Sequence, residues 1–279
     1  MSTSHEPASQ HVATSPGADF TTRLKALGGR LLVQAQLAAG GRSPFGLDRV
    51  WAYTDDCAGL RRHPHADARQ RSKHVLPSLP SSPWHSDATL GWRSRLEDVV
   101  PALRAEAVRL RSGSGFRDDA GDMLDPTWRA HLLHCLGAPL EGDRGCPATV
   151  GAIGAIPRLA STGLCAIATL EPGAEVPLGN GPTNTRLRCQ LGLEVPSGAG
   201  LEVAGEARDW RAGGWIAWDD SYPHRAWNRS SDPLVLLSVD VWHPGIEDRE
   251  ARALEVFMRL SPESVQRRRF AQSHLGSRV

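Results

Sequence analysis

Lysine is nearly absent from this chain. Lys25 and Lys73 are the two lysines, so almost all positive charge is arginine. Excess charge of either sign is absent too: 32 basic residues oppose 31 acidic ones, for a formal net charge of +1. That balance excludes a general nucleic-acid footprint and a polybasic membrane surface. No apolar run approaches the roughly 18 residues that span a bilayer. The N-terminus, MSTSHEPASQHVATSPGADF, has no basic segment followed by an apolar one, so it does not read as a secretion signal. These absences predict a soluble, cytoplasmic protein with no nucleic-acid and no membrane partner. Cysteine pairs are missing as well. Cys57, Cys135, Cys146, Cys165 and Cys189 include no CxxC, which argues against zinc ribbons and thioredoxin-like redox motifs. Reduced, buried thiols are the expectation.

What remains is ordinary globular material. The 279 residues, 40% of them apolar, suit one large domain with a sizeable core. Residues 1–20 are rich in Ser, Pro, Ala and Gly without periodicity and are expected to be disordered. Leu24, Leu27, Leu31 and Leu32 sit at helical spacing within 21–38. Residues 60–95 read as irregular loop. Leu96, Val99, Val100, Leu103, Ala107 and Leu110 form one apolar stripe, with Pro101 tolerated in the first turn and Gly113 ending it. A further helix is expected around 126–136. From about residue 150 the pattern turns to short β-forming runs: 164–170, 187–195, 201–203, 214–218, 224–227 and 234–241. Turn signals such as Glu171-Pro172-Gly173 and Pro196-Ser197-Gly198 separate them. Strands at such spacing suggest a sandwich or barrel. A basic helical stretch is expected near 261–269. There are no internal repeats.

Within residues 145–245 the chain carries Gly181-Pro182-Thr183-Asn184, Arg186-Leu187-Arg188, Leu191-Gly192-Leu193, Asp219-Asp220-Ser221, His224 and Asp240-Val241-Trp242-His243-Pro244. In order and spacing these resemble the aspartyl/asparaginyl β-hydroxylase family of Fe(II)/2-oxoglutarate oxygenases. The resemblance implies a double-stranded β-helix (a jelly roll, cupin-like) with flanking helices. It divides the chain into a helical and loop part at 21–145, a β-helix core at 146–245 and a helical tail at 246–279. It also implies Fe(II), 2-oxoglutarate and O₂ as reactants, and an amino-acid-like, peptide or other small substrate.

Position by position, the resemblance is uneven. It implies His224 as the distal iron ligand. The proximal ligand position, two residues before Gly181, is Gly179. The arginine expected ten residues after the distal histidine, to hold the far carboxylate of 2-oxoglutarate, is Leu234. A serine expected in the strand before Pro172-Gly173 is Ala168, and the histidine expected two residues after Arg188 is Gln190. Glycine cannot ligate a metal, and an apolar side chain leaves a buried carboxylate unpaired. The expectation is a tailoring enzyme on the family scaffold that acts on an amino-acid-like, peptide or other small anionic substrate. Conventional hydroxylation would be lost and isomerase, cyclase or hydrolase chemistry would take its place. Its alternatives are an atypical hydroxylase with relocated ligands and a non-catalytic binding protein.

Candidate site residues follow. His224 is the candidate catalytic residue and the remaining metal ligand. Arg186, Arg188 and Gln190 share one face of a strand by period two and are candidate substrate or cofactor binders, with either an acidic ligand or internal salt bridges as partner of the arginines. Trp218 and Trp227 are candidate pocket walls. Asp219-Asp220 reads as an acid–base pair or as a turn that caps backbone N–H groups. His65-Ala66-Asp67 and His85-Ser86-Asp87 are candidates for a relocated iron pair. His243 reads as structural, Cys189 as facing away from the pocket, and Arg267-Arg268-Arg269 as a solvated face.

Overall fold

The computed structural model describes residues 20–41, 45–86, 91–113, 125–135, 138–139, 145–157, 159–160 and 163–260. Most of residues 1–20 and the stretch 261–269 therefore lie outside the described residues. Helix α1 (Phe20–Ala39) and α2 (Asp48–Cys57) come first, then strand β1 (Trp84–His85). A 3₁₀ turn (Arg93–Val99) runs into α3 (Val100–Ser112). Strands β2 (Arg129–Cys135) and β3 (Ala138–Pro139) precede α4 (Pro147–Gly154). Eight strands follow: β4 (Leu164–Leu170), β5 (Glu175–Gly179), β6 (Arg186–Glu194), β7 (Ala199–Val203), β8 (Glu206–Arg208), β9 (Trp215–Trp218), β10 (His224–Asn228) and β11 (Leu234–Trp242). Helix α5 (Asp248–Leu260) closes the described chain.

The strands form two antiparallel sheets, ordered β1-β9-β6-β11-β4-β2-β3 and β5-β10-β7-β8. From β4 onward the chain passes back and forth between them: β4, β6, β9 and β11 in the larger, β5, β7, β8 and β10 in the smaller. This alternation is the double-stranded β-helix. The six expected strand runs are all present, shifted by a residue or two at their ends.

Alternation along each strand of the larger sheet sorts its side chains. Leu187, Cys189, Leu191, Val235, Leu237 and Val239 face one way and pack with Leu103, Ala107 and Leu110 of α3 and Ile153 of α4. Leu170, Leu234, Leu236 and Trp218 face the other way and pack with Val176, Leu201, Val203 and Ala226 of the smaller sheet. Both faces are covered, which is why β4 and β11 are buried at every position and mostly apolar. A separate cluster joins α1, α2 and α5 through Val33, Leu37, Val50, Tyr53 and Leu254.

Two expectations are corrected. The stretch around 126–136 is strand, not helix, over Arg129–Cys135. Its backbone pairs with β4, Ala130 opposite Ala168 and Leu132 opposite Ala166, and that ladder overrides a run with little period of its own. The helical and loop part is therefore not free of sheet: β1, β2 and β3 all join the larger sheet from within 21–145.

The irregular stretch 60–85 is a strap across one end of the barrel. Arg71 N–H donates to the Ser221 carbonyl (2.8 Å) and His74 N–H to the Pro182 carbonyl (2.9 Å). Asn184 binds Leu76 twice, its Oδ1 accepting from the Leu76 N–H (2.8 Å) and its Nδ2 donating to the Leu76 carbonyl (3.0 Å). Asn184 is buried, so removing its amide strands both backbone groups. Asn184→Ala should lower unfolding stability by about 2–3 kcal/mol, read by urea titration, with the strap the first segment to lose hydrogen-exchange protection.

Candidate active site

The site is built on two cross-strand rows. In the larger sheet Arg188 lies between Asp240 of β11 and Trp218 of β9, and Trp84 of β1 follows beyond Trp218. In the smaller sheet His224 of β10 lies directly opposite Gly179 of β5, with Val203 of β7 on its other side. Directly paired residues of an antiparallel ladder project to the same face. A side chain at 179 would therefore project to the face that bears the His224 ring. A Cβ built on Gly179 meets nothing nearer than the Pro177 carbonyl at 4.0 Å.

The two arginines have internal partners. Arg188 Nε donates to Asp240 Oδ1 (2.9 Å) and Nη2 to Oδ2 (3.3 Å). Its Nη2 also lies 3.5 Å from Asp220 Oδ2. Arg186 approaches the same pair, Nη2 to Asp220 Oδ2 at 3.5 Å and Nε to Asp240 Oδ2 at 3.4 Å. Asp240 Oδ2 further accepts the Leu164 N–H at 2.9 Å. Two guanidiniums and two carboxylates make a quartet without net charge. Burial works against the Asp240 carboxylate, but Arg188 and Arg186 overcome it and hold its pKa below the usual value. Burial likewise opposes the Arg188 charge, and Asp240 and Asp220 overcome that and raise it. Of the two partners weighed for the arginines, the salt bridges are present, and the demand for an anionic ligand is met from within.

Asp220 depends on a glycine. Its carboxyl lies against Gly181, where a Cβ would fall within 2.5 Å of both carboxylate oxygens. Asp219 points elsewhere. Its Oδ1 accepts the Ser221 N–H (2.9 Å), the capping role read from sequence, and its Oδ2 accepts from Gln70 Nε2 (3.2 Å). Burial pushes the Asp219 carboxyl up to about 7 against these hydrogen bonds, with the Asp220 charge adding to the rise.

His224 has one fixed nitrogen. Its Nδ1 lies 2.9 Å from the Tyr222 carbonyl, which can only accept, so Nδ1 carries the proton and Nε2 bears the lone pair. Nε2 makes no hydrogen bond among the described residues. Burial lowers the pKa of the ring, and the Arg188 charge lowers it further, against the Tyr222 hydrogen bond and Asp220. The ring is therefore neutral at pH 7. The Trp218 ring packs against it, centroids 4.5 Å apart at 65°. The same indole lies 5.8 Å from the Arg188 guanidinium carbon. Gln190 Oε1 accepts from two indoles, Trp210 Nε1 and Trp218 Nε1, each at 3.2 Å. Arg188 Nη1 and Gln190 Nε2 have no hydrogen-bond partner among the described residues.

The remaining candidates separate. Trp227 faces away from His224, since β10 alternates; it lies over Gly200, where a Cβ would meet its ring, and beneath Arg229 at 5.0 Å. It is not a wall of this site. His65 Nε2 is taken up by Ser72, at 3.0 Å to the carbonyl and 3.1 Å to Oγ. His85 pairs with Ala217, on the face of the larger sheet opposite Trp218, and its ring meets that of His243. Asp87 lies outside the described residues. Among the described residues no group of three His, Cys, Asp or Glu side chains could hold a metal, so His65-Asp67 is not gathered with His224 into an iron site. Cys189 faces α3 as expected, and burial raises its thiol pKa. His243 follows β11 and its N–H donates to the Thr185 carbonyl, a structural role.

The residues do not fit the iron and keto acid of the resemblance. One imidazole faces the site, and its cross-strand partner is glycine. Leu234 and Ala168, at the positions expected to grip the far carboxylate, carry no donor of their own and are buried beside Leu170 and Leu236.

Fold and site together define a double-stranded β-helix with, among the described residues, one histidine at the mouth. The family model for aspartyl/asparaginyl β-hydroxylase matches residues 97–244, and the chain belongs to that family. Human aspartate β-hydroxylase domain-containing protein 2 is 37% identical over 193 residues, 64% of this chain and 52% of that protein. The ornithine lipid ester-linked acyl 2-hydroxylase of Rhizobium tropici is 34% identical over 178 residues, 60% of this chain and 62% of that one. Human aspartate β-hydroxylase domain-containing protein 1 is 35% identical over 239 residues, 80% of this chain and 61% of that protein. The chain thus spans between half and two thirds of the length of these relatives. A cupin from Salinispora arenicola aligns over 40% of this chain with 14% identity and a TM-score of 0.24, too slight a likeness to add to the fold already described. No helix among the described residues is long and apolar enough to cross a membrane.

Two outcomes test this electrostatic arrangement. Gly181→Ala should displace Asp220, leave two guanidiniums sharing one carboxylate and cost about 3 kcal/mol or more, read by chemical unfolding. Asp219 gives a pH signature. Its folded pKa of about 7 lies above the ordinary 3.8, so the native state keeps a proton that the unfolded chain releases. Its contribution is present at low pH and is lost as pH rises between about 4 and 7. From pH 5 to pH 8 the wild type should lose about 2 kcal/mol relative to Asp219→Asn, measured by urea unfolding at both pH values.

Proposed function

We propose that this chain is an enzyme on the family scaffold that works without conventional Fe(II)/2-oxoglutarate hydroxylation. It binds an amino-acid-like, peptide or other small polar substrate at the barrel mouth and uses His224 for proton transfer. The observation that carries this reading is the state of His224: neutral, with Nδ1–H locked to a carbonyl, Nε2 bare, and glycine where a second ligand would project. A bare imidazole nitrogen in a partly dry site is a base near neutral pH. The unpartnered N–H groups of Arg188 Nη1 and Gln190 Nε2 lie on the same strand face and supply donors for a substrate oxygen. Trp218 supplies an apolar wall. Proton transfer of this kind serves isomerisation, cyclisation or hydrolysis, and none of these needs an oxidant. Because the arginine–aspartate quartet is neutral, the substrate need not be anionic.

One observation favours a second reading. Relatives at 34–37% identity are named as hydroxylases or hydroxylase-domain proteins, so hydroxylation remains the family's ordinary chemistry. Among the described residues that reading would draw metal ligands from the substrate itself, since His65 is bonded to Ser72 and His85 lies on the other face of the larger sheet. The names of those relatives also support an amino-acid-bearing substrate, as an aspartyl group or an amino-acid lipid. A purely ligand-binding role is the third possibility. His224→Ala separates it, because binding would survive the loss of the base.

Anaerobic titration decides between the first two. The wild type should bind neither Fe(II) nor 2-oxoglutarate at micromolar concentrations and, in a separate assay in air, should release no succinate; micromolar binding of both overturns the proposal. Gly179→His adds an imidazole opposite His224, with Cβ atoms about 5 Å apart, and should raise affinity for Co(II) at least about tenfold. Leu234→Arg is the less useful restoration, because it would bury an unpaired charge among leucines.

A further inference from the structure

Gln190 contributes an unusual acceptor. It is buried on β6, two residues beyond Arg188, and its one carbonyl oxygen takes the N–H groups of two indoles at equal distance. A carboxamide oxygen has two lone pairs and can accept both; the amide nitrogen can accept neither, so the two donors fix which way the side chain is turned. The arrangement is selective. Trp84 Nε1 and Trp215 Nε1 are also buried and have no hydrogen-bond partner among the described residues, yet neither is drawn to Gln190. Of the two indoles it holds, Trp218 is the one in edge contact with His224 and beside Arg188. The rotation of an indole about its last side-chain bond is softly determined, and a hydrogen bond at Nε1 removes that freedom.

We infer that Gln190 is a positioning residue for His224 that acts through Trp218: one amide oxygen gathers two indole N–H groups, sets the plane of the Trp218 ring, and thereby sets the edge that the imidazole presents to the mouth. The inference rests on the reading of His224 as the working base. It adds the element that holds that base in place, from a strand of the opposite sheet. Without it, the Tyr222 carbonyl fixes one nitrogen of His224 but leaves the ring free to tilt about that single bond.

The test is spectroscopic and uses the full chain at a fixed pH of about 8, where the imidazole is neutral. Ring-proton shifts of His224 report the Trp218 ring current, indole N–H exchange reports the clamp, and carbethoxylation by diethyl pyrocarbonate reports access to Nε2. In Gln190→Met, exchange at the Trp210 and Trp218 indoles should rise together by about tenfold or more. The ring-current displacement of His224 should be lost and its carbethoxylation rate should change about threefold. Gln190→Glu keeps an acceptor and should keep both the protection and the displacement. Trp210→Phe removes the other donor and should leave the His224 signals in place. A Gln190→Met protein that melts lower yet keeps the wild-type His224 shifts overturns the inference, because Gln190 is then core alone. If that variant does not fold, Trp218→Phe keeps a ring while removing the N–H, and unchanged His224 shifts overturn the inference there. Wild-type His224 inert to carbethoxylation would instead overturn its reading as a base, while the indole exchange data would still stand on the clamp.

Discussion

The cancellation of charge inside the barrel is the constraint on which the rest depends. Arg186 and Arg188 point inward because β6 alternates, and the apolar positions between them are needed against α3 and α4. The arginines cannot turn outward without exposing Leu187, Cys189 and Leu191 to the wrong face. Once inside they must be paired, since an isolated buried charge costs far more than a pair gains. Asp240 answers from the neighbouring strand and Asp220 from the turn after β9. Asp220 in turn requires Gly181, and Gly181 begins the loop that the strap holds. Each link is local, yet together they tie β6, β9, β11 and the 60–85 strap into one unit around the mouth.

That unit holds the ring of His224 in place with the protein's own groups. In a metal site the ion itself orients its ligands. Here the Tyr222 carbonyl takes Nδ1–H and an indole lies against the ring. Tyr222 is anchored on its own account: its hydroxyl meets Asp67 at 3.1 Å and Ser81 at 2.5 Å, both from the strap. The segment that looked irregular in sequence is thus part of the scaffold of the site. Its contribution is carried by backbone carbonyls and short polar side chains, which leave no periodic mark.

Much of this was legible in the sequence, and the rest was hidden for identifiable reasons. The β-forming runs of the core were visible because both faces of the larger sheet are buried, which enforces Val, Leu and Ile. Strand β5 was missed because it is a short edge strand with an exposed face and a proline, and its length is set by pairing with β10. Strand β2 was mistaken for helix because Leu132-Leu133 fits either period, and only the partner β4 decides. Period two correctly put Arg186, Arg188 and Gln190 on one face. It could not say which carboxylates would meet them, because Asp220 and Asp240 are 32 and 52 positions beyond Arg188. The glycine at 179 was legible through the spacing to Gly181, and its register opposite His224 agrees with that alignment. The double engagement of Gln190 had no sequence signal, since Trp210 and Trp218 reach it from a loop and a neighbouring strand.

The pattern of substitution at the mouth is more than loss. Where the resemblance calls for groups that would need a ligand to be content, this chain has groups that satisfy one another. Leu234 and Ala168 close the far wall with leucines on either side, and Gln190 spends its oxygen on two indoles. Glycine at 179 removes a side chain whose lone pair would otherwise need a partner. A site prepared for an ion and a keto acid pays in stability for groups held apart until those ligands arrive. A site whose charges already sum to zero has no such debt, so its remaining unpartnered atoms stand out. Among the described residues His224 Nε2, Arg188 Nη1 and Gln190 Nε2, one acceptor and two donors, lie about a single indole, and Asp220 Oδ1 and Trp84 Nε1 are likewise without a hydrogen-bond partner. On the proposed reading, chemistry at this mouth begins from the first three of these, with a proton moved by His224.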